Sequence, residues 1–268
     1  MTDDALTIVE PGWGTTIQDL GRPGFAHLGV SPGGMVDPAI GALVNRLVGN
    51  GDGAALLETC GGLVIRAERP LLVATSREAA PFALAAGATY EVVPGERLWQ
   101  YLAVRGGLLA DAVLGSVSTD TLAGLGPGPP HAGDSLAVGA DPRSELTTDV
   151  APLAPLGHVA RVTPGPRADW FASSWRHDLA AAQLTVTDVN RVGVRLAGVR
   201  LARSRHEELP SEGLVRGAVQ APPGGELVMM LADHPTTGGY PVVAVVHPDD
   251  VATVAHHRPG TTLRLRIG

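Results

Sequence analysis

The sequence predicts a mainly β protein of many short strands and few helices. Three observations point there. Glycine and proline are abundant, at 35 and 22 of 268 residues, while aromatic residues make up only 4%. Hydrophobic residues nevertheless reach 44% and charged residues stop at 18%, so the chain can fold around a sizeable core. Between residues 55 and 104, short apolar runs recur at regular spacing with turn signals between them, the rhythm of a β-sandwich or barrel.

Taken in order, Leu6 to Val9 reads as a first strand, stopped by Pro11 and Gly12. Residues 12–34 hold seven glycines and two prolines and lack periodicity. The interleaved Ile17, Leu20, Phe25, Leu28 and Val30 predict an ordered loop pinned to a core. Met35 to Val48 is the clearest helix. Asp37 can cap its N-terminus, Pro38 suits the first helical position, and Ile40, Leu43, Val44 and Leu47 share one face. Gly49 ends it. Ala55 to Cys60, Leu63 to Ala67, Leu71 to Thr75, Thr89 to Val93 and Leu98 to Val104 then read as strands, separated by Gly61-Gly62, Arg69-Pro70 and Pro94-Gly95.

Asp141 to Leu156 carries three prolines and loses periodicity, which makes it the candidate linker between a first subdomain, 1–145, and a second, 146–268. His158 to Val162 restarts the strands. Ala168 to Phe171 and Trp175 to Ala182 read as short helices. Thr185 to Val189, Val192 to Leu196, Gly217 to Gln220, Leu227 to Leu231, Val242 to Val246 and Thr262 to Ile267 complete a second set of strands, with a short helix over Val251 to His257.

Composition narrows the function. The net charge is −7, and the basic residues are scattered apart from a small cluster at Arg200, Arg203 and Arg205, so no nucleic-acid partner is expected. Cys60 is the single cysteine, which excludes a disulfide framework and a cysteine-rich zinc site and suits a packed core residue. The start of the chain, MTDDALTIVEPGWG, has neither a basic nor an apolar leader region. No apolar run approaches the ~20 residues needed to span a bilayer. A cytoplasmic protein without a membrane partner is expected. GxxxxGK[ST] and HExxH are absent, and GxSxG is absent as a nucleophile elbow. The histidines are dispersed, and a metal-free site is the expectation.

Three segments hold the residues suited to chemistry. In LADHPTTGGYP (Leu231 to Pro241), an apolar run gives way to Asp233, Thr236, Thr237, Gly238, Gly239 and Tyr240. Glycines there allow close backbone approach to a ligand, and N–H groups beside two hydroxyls suit a carboxylate or a developing oxyanion. Asp233 is placed to orient a substrate N–H or act as a base, and Tyr240 to supply a hydroxyl or an apolar wall. The same residues also suit a plain glycine turn capped by the threonines. In the second segment, Arg191 is a candidate carboxylate ligand and Gln220 sits at a strand end before Pro222-Pro223. Arg191 and Arg195, four apart, would equally share the solvated face of a strand edge. In the third, Gln18, Asp19, Arg22 and His27 lie among glycines, and loop self-capping by Asp19 and Arg22 is as good a reading as ligand binding.

Read together and in order, IQDLGRPGFAHLGVSPGGMVDP, NRVGVRLAG, LPSEGLVRGAVQAPPGG and LADHPTTGGYPVVAVV resemble the KipA family, also known as the C subunit of 5-oxoprolinase or as allophanate hydrolase subunit 2, which matches the carboxyltransferase domain of urea carboxylase. The resemblance runs from about Leu6 to the C-terminus. Two departures stand out. His234-Pro235 replaces the family's frequent Arg-Gln pair, and Val192 and Val194 replace Met and Tyr.

The resemblance implies two cyclophilin-like β-barrel subdomains with a few short helices. It also implies a KipI-like partner, the B subunit of 5-oxoprolinase, and a third subunit, in a complex that hydrolyses 5-oxo-L-proline to L-glutamate at the expense of ATP. On that reading Asp233, Thr236 and Thr237 are the catalytic candidates. Gly238, Gly239, Tyr240, Arg191, Gln220, Gln18, Asp19 and His27 are the substrate-binding ones, and the chain is inactive alone. Two other functions follow from the same resemblance. One is a KipI-binding regulator without catalysis. The other is a carboxyltransferase half-site fed by carboxybiotin, which needs a separate carrier because the chain has no lysine.

Overall fold

The computed structural model describes residues 4–146 and 150–268. The chain divides into two compact units. One comprises the residues through Arg22, Gly33–Asp120 and Gly124–Pro155; the other comprises Pro23–Pro32, Thr121–Ala123 and Leu156–Gly268. Among the described residues, no helix is long and apolar enough to cross a membrane.

In chain order the first unit is built from β1 (Asp4–Pro11), β2 (Thr16–Gln18), α1 (Pro38–Leu47), β3 (Leu56–Thr59), β4 (Leu63–Ala67), β5 (Leu71–Thr75), β6 (Pro81–Leu84), β7 (Thr89–Val92), β8 (Gln100–Val104), β9 (Leu108–Leu109) and β10 (Ser135–Val138). They form two five-stranded sheets, ordered β7-β4-β1-β10-β9 and β2-β3-β8-β5-β6. Leu6, Ile8 and Ile65 from one sheet and Leu57, Val73 and Leu102 from the other belong to a single apolar cluster. Both sheets here are open, where a barrel was expected. Closure requires each edge strand to find a second hydrogen-bonded neighbour. The edge strands β2, β6, β7 and β9 are only two to four residues long and pair on one side only.

Helix α1 forms as its cap predicts. The Asp37 carboxylate accepts from the Ala39 and Ile40 N–H groups at 3.1 and 3.0 Å. Ile40, Val44 and Leu47 are buried, and Leu43 only partly. Asn45, buried on the same side, donates to the Ala54 carbonyl at 2.8 Å and so holds the turn that follows the helix. The Asp37 N–H donates to the Tyr101 hydroxyl at 2.7 Å, and Glu58, beside Tyr101 in the β3–β8 ladder, accepts from the Val36 N–H at 2.7 Å. Burial pushes the Tyr101 phenol well above its ordinary pKa, with the Glu58 and Asp37 carboxylates adding to the effect. Cys60 is half-buried, not a core residue. No strand or helix falls within 141–146 or 150–156, and 147–149 of the linker reading lie outside the described residues, as do 1–3 of the leader reading.

The second unit contains β11 (Val159–Pro164), α2 (Trp175–Ala181), β12 (Leu184–Val189), β13 (Gly193–Ala197), β14 (Glu212–Gly213), β15 (Ala218–Gln220), β16 (Leu227–Met230), β17 (Thr237–Gly238), β18 (Val242–Val246), α3 (Pro248–Ala255) and β19 (Thr262–Ile267). Seven strands close a barrel in the order β11-β18-β15-β16-β13-β12-β19. The closing pair is parallel, with Val159 opposite Arg264 and Val162 opposite Ile267. Side chains alternate as closure demands. Ala160, Val162, Leu263 and Leu265 are buried, while Arg264 and Arg266 are exposed. Outside the barrel, β14 and β17 form a two-stranded ladder of their own, and that ladder carries the threonine–glycine turn.

Candidate functional site

The chain leaves β16 through two backbone bonds to the segment before β13: Leu231 N–H to the Val192 carbonyl and Asp233 N–H to the Arg191 carbonyl, both 2.9 Å. Asn190 shapes that segment, its side-chain oxygen accepting from the Val192 and Gly193 N–H groups at 2.8 and 3.1 Å. These bonds bring Arg191 and Asp233 face to face. The guanidinium grips the carboxylate with Nε to Oδ2 and Nη2 to Oδ1, each 2.9 Å. Thr121, which groups with the second unit, adds its N–H at 2.9 Å and its hydroxyl at 2.7 Å to Oδ2. The two side chains are 3% and 0% exposed.

That burial changes what the pair can do. A desolvated charge is stable only when paired and hydrogen-bonded, and the Asp233 carboxylate has four donors. Arg191 is not on a solvated strand edge with Arg195, which is exposed. It precedes β13, so strand alternation does not govern where it points. As built, the pair fixes the base of the 233–241 turn.

The turn itself is held from two sides. Leu214 donates its N–H to the Thr236 carbonyl at 2.9 Å, and Glu212 and Gly213 pair with Gly238 and Thr237. Gln220, buried at the end of β15, donates its amide to the Tyr240 carbonyl at 3.1 Å. A Cβ at Gly238 would stand 2.7 Å from Gln220 Nε2 and 2.8 Å from Leu214 Cδ1, so the ends of those two side chains would have to shift. Thr237, Gly239 and Tyr240 are exposed. His234 is buried, with Nδ1 2.8 Å from the Pro235 carbonyl, a contact that requires the proton on Nδ1. The structure therefore brings Asp233, Thr236, Thr237, Gly238, Gly239, Tyr240, Arg191 and Gln220 into one hydrogen-bonded region of the second unit.

The third segment is divided. Gln18 and Asp19 belong to the first unit and His27 to the second. Asp19 accepts from Gly21 and Val117 N–H groups and from the Ser116 and Ser118 hydroxyls, at 2.5 to 2.9 Å; this saturates its carboxylate locally. Gln18 donates to Thr16 Oγ1 and the Thr119 carbonyl, both at 2.9 Å, and its buried Oε1 has no hydrogen-bond partner among the described residues. Arg22 is also buried, with Nε and Nη2 on the Val113 and Ser118 carbonyls. His27 is exposed on a single 3-10 turn, its Nδ1 3.1 Å from the Gly24 carbonyl.

Beside the turn runs a groove that sequence reasoning did not single out. Arg203, His206, Ser211, Gly239 and Tyr240 line a cavity of about 570 Å³. Arg203 and His206 also line an adjoining cavity of about 600 Å³ whose other walls include Phe171, Arg200, Pro222 and Leu227. The one signal in the sequence was the small basic cluster at 200–205. Among the described residues no group of three His, Cys, Asp or Glu side chains is arranged to hold a metal ion.

Comparison with known proteins places this geometry. The family described as the carboxyltransferase domain, subdomain A and B, matches residues 28–267. The C subunit of the Escherichia coli K12 5-oxoprolinase is 33% identical along 93% of this chain and 87% of its own length. Its counterpart from Haemophilus influenzae is 29% identical along 93% and 86%. The urea amidolyase of Saccharomyces cerevisiae is 26% identical along 97% of this chain but only 16% of its own. Among solved structures, that of TTHA0988 superposes with a TM-score of 0.88 at 34% identity. It covers 99% of this chain, which spans 56% of the TTHA0988 chain. The Kluyveromyces lactis urea carboxylase, at 24% identity, shares the fold with a TM-score of 0.89.

Proposed function

The chain belongs to the family of the carboxyltransferase domain, subdomains A and B, and from that membership we propose that it works as one subunit of an ATP-dependent 5-oxoprolinase. The complex opens the lactam of 5-oxo-L-proline to L-glutamate, beside a KipI-like subunit and a third subunit, in the cytoplasm. The observation that carries this reading is the 33% identity to the C subunit of a 5-oxoprolinase along nearly the whole of both chains. In the same reading both units are cyclophilin-like subdomains, joined near residue 145.

Opening a stable lactam requires a donor array where charge develops on its carbonyl oxygen. The exposed part of the turn offers the Thr237 hydroxyl and the backbone around Gly239, with Thr236 beside them. Tyr240 walls the same cavity. Asp233 and Arg191 act through the turn: they hold its base, and neither meets the substrate. Gln220 holds the Tyr240 carbonyl. The Gln18 oxygen, without a hydrogen-bond partner among the described residues, is the binding candidate of the first unit, Asp19 shapes its loop, and His27 is the exposed candidate of the second. With no GxxxxGK loop and no lysine, the chain does not fit a nucleotide site of the phosphate-loop type. ATP is assigned to the assembled complex.

One observation favours a second reading, carboxyl transfer from carboxybiotin: the alignment with urea amidolyase runs along 97% of this chain. A separate biotin carrier is then required. Reconstitution with the KipI-like and third subunits, ATP and 5-oxoproline separates the two. Glutamate release that needs this chain and ignores avidin supports the lactam reading. No release under conditions that sustain a homologous set overturns it, and avidin-sensitive turnover points to carboxyl transfer.

A further inference from the structure

We propose that Arg203 is the carboxylate anchor of the groove beside the 236–240 turn, and that the groove takes a small monocarboxylate with a neutral hydrogen-bonding end. The identity of that acid as 5-oxoproline rests on the function proposed above; the anchor itself does not.

A carboxylate-bearing ligand needs a cation that is not already engaged. Arg191, the arginine of the motif, is buried in its pair with Asp233, and Gln220 is tied to Tyr240. In the basic cluster, Arg205 is paired with Asp169 at 3.0 Å, Arg200 is exposed and does not line the cavity that holds Gly239 and Tyr240, and nearby Arg167 is paired with Glu212. Arg203 makes one hydrogen bond among the described residues, Nη2 to the Ala221 carbonyl at 2.7 Å. This bond positions it. Ala221 donates its own N–H to the Pro241 carbonyl at 3.1 Å, and its neighbour Gln220 holds the Tyr240 carbonyl. Arg203 is thereby fastened to the turn through three hydrogen bonds, while Nε and Nη1 have no partner among the described residues. A half-buried guanidinium with a fixed plane and open N–H groups is suited to a carboxylate fork.

The surroundings set the ligand class. The cavity of about 600 Å³ carries Arg200, Arg203 and His206 and, among the described residues, no acidic side chain, against the apolar walls of Phe171 and Leu227. The adjoining cavity, next to Gly239 and Tyr240, shares Arg203 and His206 and adds Glu207 and Glu208. An anionic end is accepted beside Arg203 and Arg200 and repelled beside Glu207 and Glu208. A lactam acid meets both conditions. Hydrolysis would add water across the lactam C–N bond, leaving a second carboxylate at the Glu207 and Glu208 end and an ammonium beside the anchored carboxylate, near Arg200 and Arg203; each new charge meets its own sign, so product leaves more readily than substrate.

Two measurements test this. The first is binding of 5-oxo-L-proline, acetate, inorganic phosphate, L-glutamate and uncharged 2-pyrrolidone to the chain, by calorimetry. The second is the KM and kcat of the reconstituted complex. Arg203→Gln is expected to weaken 5-oxoproline binding by about tenfold or more and to raise KM with kcat within about twofold; Arg203→Lys should fall between. Arg264→Gln, an exposed barrel arginine, should change neither. Pyrrolidone should not bind, and glutamate should bind more weakly than 5-oxoproline, with a smaller gap in Glu207→Gln/Glu208→Gln. Unchanged binding and KM in a folded Arg203→Gln chain overturn the anchor even where hydrolysis proceeds. Phosphate binding with no carboxylate binding overturns the ligand class. Arg203-dependent acetate binding in a complex that cannot hydrolyse 5-oxoproline leaves the anchor standing and removes the lactam assignment.

Discussion

The pair of Arg191 and Asp233 shows how a residue that looks catalytic in a sequence becomes a fastening in a structure. The carboxylate meets two guanidinium nitrogens and two Thr121 groups, and neither side chain of the pair is more than 3% exposed. Removing one partner of such a pair leaves a buried charge without compensation. Asp233→Asn should therefore cost about 3–5 kcal/mol in urea unfolding, and an apolar replacement of both residues should recover most of it. A loss under about 1 kcal/mol would show the pair to be solvated. The sequence displayed both residues but not their meeting, because they lie 42 positions apart and only the backbone bonds from 191 to 233 align them. Tyr101 gives a second residue-scale test. Its folded pKa lies above that of an unfolded tyrosine, about 10, so its contribution is full below pH 10 and is lost as pH rises toward the folded value. Tyr90, also raised, acts with the same sign. Urea midpoints from pH 9 to 11.5 should fall with pH in the native chain and fall less steeply in Tyr101→Phe.

At the scale of elements, the sequence was most legible where local chemistry decides. Asp37-Pro38 sets the start of α1, and the apolar runs at 63–67, 71–75, 242–246 and 262–267 are strands with the predicted bounds. It was least legible at β14 and β17, two residues each. Glu-Gly and Thr-Gly carry no strand signal, and that ladder exists because the 212–214 backbone meets 236–238. Gly238 sits at that meeting. A Cβ there would crowd the Gln220 and Leu214 side-chain ends, while one at Gly239 would make only an ordinary contact with the Leu209 carbonyl at 3.5 Å. Gly238→Ala should therefore push the Gln220 amide off the Tyr240 carbonyl and cost about 1–3 kcal/mol, whereas Gly239→Ala should cost less; melting temperatures of the two variants decide this. Equal losses would mean that backbone freedom, not space, selects the glycines.

Across the whole molecule, β content, the few helices and the family were legible, because long motifs in fixed order are specific. Barrel closure was implied only by the resemblance, and it holds for the second unit and not for the open sheets of the first. The parallel pairing of 159–162 with 264–267 joins segments about a hundred residues apart, and nothing local in either announces it. Nor did short polar edges such as Thr16–Gln18 read as strands, although they end the open sheets of the first unit. The groove beside the turn was missed for a related reason. Arg203 is ordinary in the sequence and acquires a role only when Ala221 fastens it to the turn. The central claim is that this chain brings the 236–240 turn to a lactam-opening complex as part of its chemistry. The most direct test is the rate of glutamate release by the reconstituted complex carrying Thr236→Ala/Thr237→Ala. A fall of about a hundredfold in kcat, with assembly intact, is predicted. A native rate from an assembled complex would contradict it and leave the chain a binding partner only.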